Sequence, residues 1–182
     1  MTLKFYMPVL AACLASCSAT ETPPSMTNHG AVAVEHPDQR RLDTVPEWLA
    51  SAGESTALSC YLDAVEAARP RAAGWEADAG AVIRVAGWAV DTRTRVQREA
   101  KIGLRPLAGS GQVAYFAADR SERADVTAAP AFAEDPPANA GLTGTLQLDG
   151  IVPGEYEFVY VVGDAQNAAH CNLGANRSLV VR

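Results

Sequence analysis

Lysine is nearly absent from this chain. Of its 15 cationic residues only Lys4 and Lys101 are lysines, and the arginines form no dense cluster. Against 21 acidic residues and a formal net charge of −6, that scarcity makes nucleic acid a poor partner and leaves no patch for phosphate recognition. Histidine is scarce too. His29 and His36 fall in the stretch before the domain and His170 stands beside Cys171, so no Ser-His-Asp order is suggested. No glycine-rich phosphate loop, zinc-ligand spacing or EF-hand loop occurs, so neither a metal nor a cofactor is expected. Beyond the first residues there is no apolar run near the roughly 20 residues that a membrane-crossing helix needs.

What is present starts at the N-terminus. Lys4 precedes an apolar stretch from Phe5 to Ala15, broken only by Pro8 and Cys13. That is the layout of an export signal, too short to span. It ends on Leu14-Ala15-Ser16-Cys17, which resembles the lipobox of bacterial lipoproteins. The resemblance implies cleavage before Cys17, a diacylglyceryl thioether on its sulfur and, with Ser18 following, an outer-membrane address. Leu10-Ala11-Ala12-Cys13 fits the same pattern, but cleavage there leaves a very short apolar core, so Cys17 is favoured. The alternative is an ordinary cleaved signal peptide. Two or more acyl chains hold a protein stably at about 0.8 kcal/mol per buried CH2. Losing residues 1–16 removes one positive charge, Lys4, and takes the formal net from −6 to −7.

After the leader only Cys60 and Cys171 accompany Cys17. An even pair in an oxidising compartment is expected to form a disulfide. A metal site using the adjacent His170 is the weaker alternative.

Residues 17–43 hold few large apolar side chains and carry Pro23, Pro24, Gly30 and Pro37. They cannot bury enough surface to offset chain entropy and are expected to form a tether. Residues 44–56 are the lead-in, with a brief helix over Thr44 to Ala52 in which Thr44 is the N-cap and Pro46 lies in the first turn. Trp48 and Leu49 then pack on the domain edge.

From residue 57 to 182 short alternating runs separated by turn residues predict an all-β domain. Seven strands are expected, over 57–65, 81–90, 99–107, 112–118, 142–149, 155–163 and 171–182, the last interrupted near Gly174-Ala175-Asn176. Leu142, Gly144, Leu146 and Leu148 share an inward face, as do Tyr156, Phe158, Tyr160 and Val162. Ala108-Gly109-Ser110-Gly111 is a hairpin turn. Glu155 and Glu157 point outward, where charge discourages edge pairing. Glu134-Asp135 before two prolines forms a solvated bend, and Asp63, Asp149 and Asp164 fall at strand ends. Seven such strands suit an immunoglobulin-like β-sandwich.

Two patterns sharpen that expectation. Leu148 to Tyr156, with Pro153-Gly154 between them, resembles the tyrosine corner of Ig-like domains and implies a structural Tyr156 whose hydroxyl bonds backbone in the bend. Gly87-Trp88-Ala89-Val90-Asp91, then Arg123-Ala124-Asp125-Val126, then the Pro-Gly-x-Tyr turn resemble a "GWAxD…RxDV…PGxY" β-sandwich module of bacterial surface proteins, at times attached to glycosyltransferases. Leu142 departs from the phenylalanine that the module implies, and nothing in these 182 residues reads as a glycosyltransferase. The resemblance implies a sandwich without catalytic residues. On packing grounds Trp88 fills the centre of the sandwich, Gly87 admits a neighbouring strand, Arg123 pairs with Asp91 or Asp125, and Asp125 caps a helical turn. A functional alternative makes Trp88, Asp91, Arg123 and Asp125 a ligand pocket with an aromatic platform for sugar.

The expectation is therefore a lipid-anchored envelope protein displaying a non-catalytic module that binds protein or glycan, or serves structure. The 119–140 connection is the expected binding surface. The rival is an enzyme acting on envelope polysaccharide, which needs carboxylates converging in a cleft.

Overall fold

Leu58, Cys60 and Leu62 alternate with Ser59 and Tyr61, and this period of two is what a half-buried strand requires. A computed structural model of the chain describes residues 41–92, 99–132, 137–173 and 177–182. Cys13, Cys17, His29, His36, Glu134-Asp135 and Gly174-Ala175-Asn176 lie outside the described residues. The chain is all-β. After α1 (Glu47–Ala50) come β1 (Gly53–Glu54), β2 (Leu58–Glu66), β3 (Arg69–Arg71), β4 (Gly74–Ala77), β5 (Val82–Asp91), β6 (Ala100–Pro106) and β7 (Ala114–Ser121). A single turn, α2 (Ala124–Thr127), and a 3-10 turn (Pro130–Phe132) lead to β8 (Gly141–Gln147), β9 (Gly154–Val162), β10 (Ala169–Asn172) and β11 (Ser178–Val181).

These strands form one curled mixed sheet in the order β2-β5-β8-β7-β6-β9-β11-β4-β3, with β10 on β9 and β1 on β10. β7 is the bend. Its first half pairs antiparallel with β6 and its last three residues with β8. The sheet thereby closes on a core in which Ile83, Val85, Leu142 and Leu146 pack with Ile102, Phe116, Phe158, Tyr160 and Leu179. Every one of these is buried completely or nearly so. Leu142, Leu146 and Leu148 share the inward face as expected, with Thr143 and Thr145 outward.

Sequence and structure differ at several points. Eleven strands appear among the described residues instead of seven: the expected 171–182 strand is divided into β10 and β11, and three short strands are new. Of these, β3 and β4 form a local antiparallel hairpin, while β4 joins β11 and β1 joins β10 by long-range parallel pairing. In α1 Thr44 is not the cap. Pro46 holds that position in extended geometry, and no side chain caps the helix. Leu49 is fully buried against Tyr115 and Val161, so α1 covers the outward face of β7 and β9 rather than an edge. Its backbone carbonyl accepts the Tyr115 hydroxyl at 3.3 Å. That cover is also why Val161 is buried where plain alternation predicts exposure. Glu155 and Glu157 do not guard an edge, since β9 is an inner strand: Glu157 meets Arg105 at 2.5 Å and Glu155 accepts from Ser178 Oγ at 3.2 Å. Pairing is present two residues before the expected end of the tether, where Arg41 bridges Phe116 and the Leu42 amide donates to the Tyr115 carbonyl at 2.8 Å.

The corner before β9 forms as its residues imply. Tyr156 Oη donates to the Val152 carbonyl at 2.6 Å across the Pro153-Gly154 turn, with Leu148 and Ile151 buried beneath. Tyr156→Phe is expected to cost about 1 kcal/mol, the net worth of one such bond, read as a shift in urea midpoint at unchanged slope.

Candidate functional site

Alternation along β5 decides the orientation of the expected site. Ile83, Val85, Gly87 and Ala89 face the core, so Trp88 projects from the opposite face. It does not fill the centre of the fold. Trp88 is half-buried against Val90, Val126, Phe132 and Ala140, where α2 and the 3-10 turn fold over the sheet. In register it stands beside Tyr61 of β2 on one side and Gly141 of β8 on the other. Gly87 serves as expected: a side chain there collides with the Tyr160 hydroxyl and the Tyr61 carbonyl.

Arg123 is the hub of this face. Its Nε and Nη2 donate to the two Asp125 oxygens at 2.7 and 2.6 Å, and Nη1 donates to Asp63 Oδ2 at 2.5 Å and to the Gly87 carbonyl at 3.4 Å. Bidentate geometry of this kind is strong and directional. Of the two acids expected to meet Arg123, Asp125 does; the second partner is Asp63. Asp91 sits at the far end of β5 opposite Leu58, with interactions of its own, while the Thr92 amide and hydroxyl both donate to the Ala57 carbonyl. Asp125 stands in the first turn of α2, not at its cap, which is Arg123.

Asp63 was hidden by a β-bulge. Register with β5 slips between Leu62 and Ala64, leaving Asp63 as the extra residue within β2 rather than at its end. The signal is legible afterward: Leu58, Cys60 and Leu62 keep one phase, and Val65 is buried in the other.

Electrostatics follow from the contacts. Hydrogen bonding to Asp125, reinforced by Asp63, raises the Arg123 guanidinium above its ordinary value. The same bonds lower the Asp125 carboxyl to about 2 from 3.8. Both partners are thus held ionised at neutral pH, and Asp125 cannot supply a proton. Beneath them the Tyr160 hydroxyl is buried with no hydrogen-bond partner among the described residues; burial, then the charge of Asp63, raises its pKa while Arg177 opposes. Arg120 donates to the Ala89 carbonyl at 2.9 Å, and burial lowers it to about 10.

Sequence reasoning also missed Arg177. Its guanidinium carbon lies 4.3 Å from the centre of the Tyr61 ring, a stacked cation–π contact. Unlike Arg123, Arg177 makes no ion pair among the described residues. The face therefore combines two aromatic rings, an Arg123–Asp63–Asp125 triad that keeps one net negative charge, and one cation, Arg177, that is not paired with a carboxylate among the described residues. Asp119 and Ser121, counted in the connecting loop by sequence, belong to β7; α2 follows.

Elsewhere, Cys60 and Cys171 stand at bonding distance, 1.91 Å between sulfurs, and join β2 to β10. The His170 Nδ1 is 2.9 Å from the Ala52 carbonyl. Asp164 accepts from the Gln166 and Asn167 amides, and Asp149 from the Gln147 side chain. Among the described residues no three His, Cys, Asp or Glu side chains converge as metal ligands. Two open grooves flank Arg41: one of about 600 Å³ between residues 41–50 and the start of β7, and one of about 530 Å³ between the β6–β7 hairpin and the turn before β9. No protein-family model matches the chain, and no curated protein is significantly similar to it.

Proposed function

We propose that this is an acylated cell-envelope lipoprotein, anchored through Cys17 in the outer membrane. It displays a non-catalytic, immunoglobulin-like domain whose Tyr61–Trp88–Arg177 face binds a glycan bearing acidic groups. The sorting part of the reading rests on the Leu-Ala-Ser-Cys run. The Ig-like part is supported by the hydroxyl bond of Tyr156 in its corner and by a sheet that bends at β7 to bury one face. The observation that carries the ligand class is Arg177 stacked on an exposed tyrosine beside a tryptophan. Aromatic faces take the apolar side of a sugar ring, and a stacked guanidinium presents planar donors matched to a carboxylate.

Binding is favoured over hydrolysis by the state of the acids. Glycoside cleavage by paired carboxyls needs one of them protonated, whereas Asp125 is held at about 2 and both it and Asp63 are committed to Arg123.

Calorimetry with oligogalacturonate and with neutral galacto-oligosaccharide of equal length tests the reading. The acidic oligomer is expected to bind preferentially, with Tyr61→Ala and Arg177→Gln each weakening it at least tenfold and Val82→Ala leaving it unchanged. Equal affinity for both sugars, or variants that bind like the parent, would sink it.

A further inference from the structure

Among the described residues four large apolar side chains are exposed: Tyr61 (47%), Val82 (53%), Leu107 (45%) and Val152 (70%). Tyr61 belongs to the face above. The other three fall at one end of the sheet. Val82 opens β5 opposite Gln147 at the close of β8, and the Ala81 carbonyl accepts the Leu148 amide at 2.9 Å, which places Val82 beside the turn holding Val152. The Leu107 amide donates to the Glu155 carbonyl at 2.9 Å, placing the β6–β7 hairpin against that turn. No charged residue occurs from Pro106 to Val113 or from Gly150 to Gly154.

Arg41, the first described residue, lies at the same end. Its Nη1 is 3.4 Å from the Gly150 carbonyl, and it borders the groove between the two turns. Roughly two dozen residues separate Cys17 from Arg41, a reach of about 80 Å at most when fully extended and far less as a coil.

We infer that this end, tipped by Val82, Leu107 and Val152, rests on the lipid surface that holds the anchor. The inference rests on the Cys17 reading. Charge fits a neutral or zwitterionic surface. With a mature net of −7, attraction to anionic lipid is not the force, and shallow insertion of apolar tips is. Of the acids near this end, Asp149 takes the Gln147 amide, Glu155 the Ser178 hydroxyl and Asp78 the Arg69 guanidinium, and the exposed Asp43 stands on the far groove beside Arg41. Arg41 stands where a cation meets phosphate headgroups. Trp88 lies six residues along β5 from Val82, about 20 Å by strand rise, so docking this end lifts the aromatic face away from the bilayer.

The test uses the full chain extracted from its envelope with its lipid and returned to phosphatidylethanolamine–phosphatidylcholine vesicles. Intact mass reports acylation. Separate Val152→Cys, Leu107→Cys and Tyr61→Cys proteins, each labelled with an environment-sensitive fluorophore, report depth through headgroup-region nitroxide lipids. Labels at 152 and 107 are expected to be quenched at least twofold more than the label at 61, with little change in 0.5 M salt. An acylated protein whose three labels are quenched alike overturns the docking and leaves the anchor standing. An unmodified mass overturns the anchor, and the docking with it. Unfolding transitions matching the parent verify that each labelled protein is folded.

Discussion

Replacing Cys60 and Cys171 together by alanine is expected to lower the unfolding free energy by about 4–5 kcal/mol, the chain-entropy value for a loop of this length. The two cysteines are 111 residues apart, so the cross-link restricts nearly the whole unfolded domain. It also joins strands that share few other contacts: β2 is an end strand of the path, and β10 lies off it, on β9. For a domain of this size the loss corresponds to roughly 15 °C in Tm. Urea melts of the parent and the double variant read it directly, and the variant's slope is expected to rise because its unfolded state expands. A difference below 1 kcal/mol would mean that the sulfurs are unbonded in the native protein or that the loop-entropy account fails here.

Gly87→Ala is expected to cost about 2–3 kcal/mol, the upper part of the range for overpacking a filled core. Gly87 lies in β5 between Leu62 of β2 and Leu142 of β8. A methyl there runs into two things at once: the Tyr61 carbonyl, held by the sheet, and the fully buried Tyr160 hydroxyl. Neither can step aside without moving a strand. Tyr160→Phe separates the two obstacles. Its hydroxyl has no partner among the described residues, so removing it alone is expected to be near neutral or stabilising. Combined with Gly87→Ala it is expected to recover at least 1 kcal/mol, a coupling that a double-mutant cycle isolates. Gly87→Ala proteins within 0.5 kcal/mol of the parent would show that β2 and β9 are not packed this closely.

The two proposals share one geometry. Arg41 and the uncharged, apolar-tipped turns are at one end of β5, and Tyr61, Trp88 and Arg177 are toward the other. An anchored module that presents a sugar-binding face needs that polarity. Failure of either the glycan or the vesicle experiment leaves the other independently testable.

Much of the architecture was legible in the residues. Alternation in 142–148 and in 156–162 is strong, local and bounded by turns, and the strands fall within a residue or two of where the pattern puts them. The hairpin at 108–111 and the Tyr156 corner are short-range chemistry, and they form. The even cysteine pair likewise needed only counting. Half of the candidate face was legible as well, since Trp88, Arg123 and Asp125 carry a recognisable spacing.

Amino-acid order alone thus determined the all-β class, the strand phases, the corner and the cysteine partners, because each depends on neighbours a few residues away or on a choice among very few side chains. Only the tertiary structure decided which face Trp88 occupies, that Asp63 rather than Asp91 is the second partner of Arg123, that Arg177 stacks on Tyr61, and that Val82, Leu107 and Val152 fall at one end of the sheet. Each of those depends on a bulge that shifts register by one residue or on strands paired across dozens of residues. Local propensity carries no information about either.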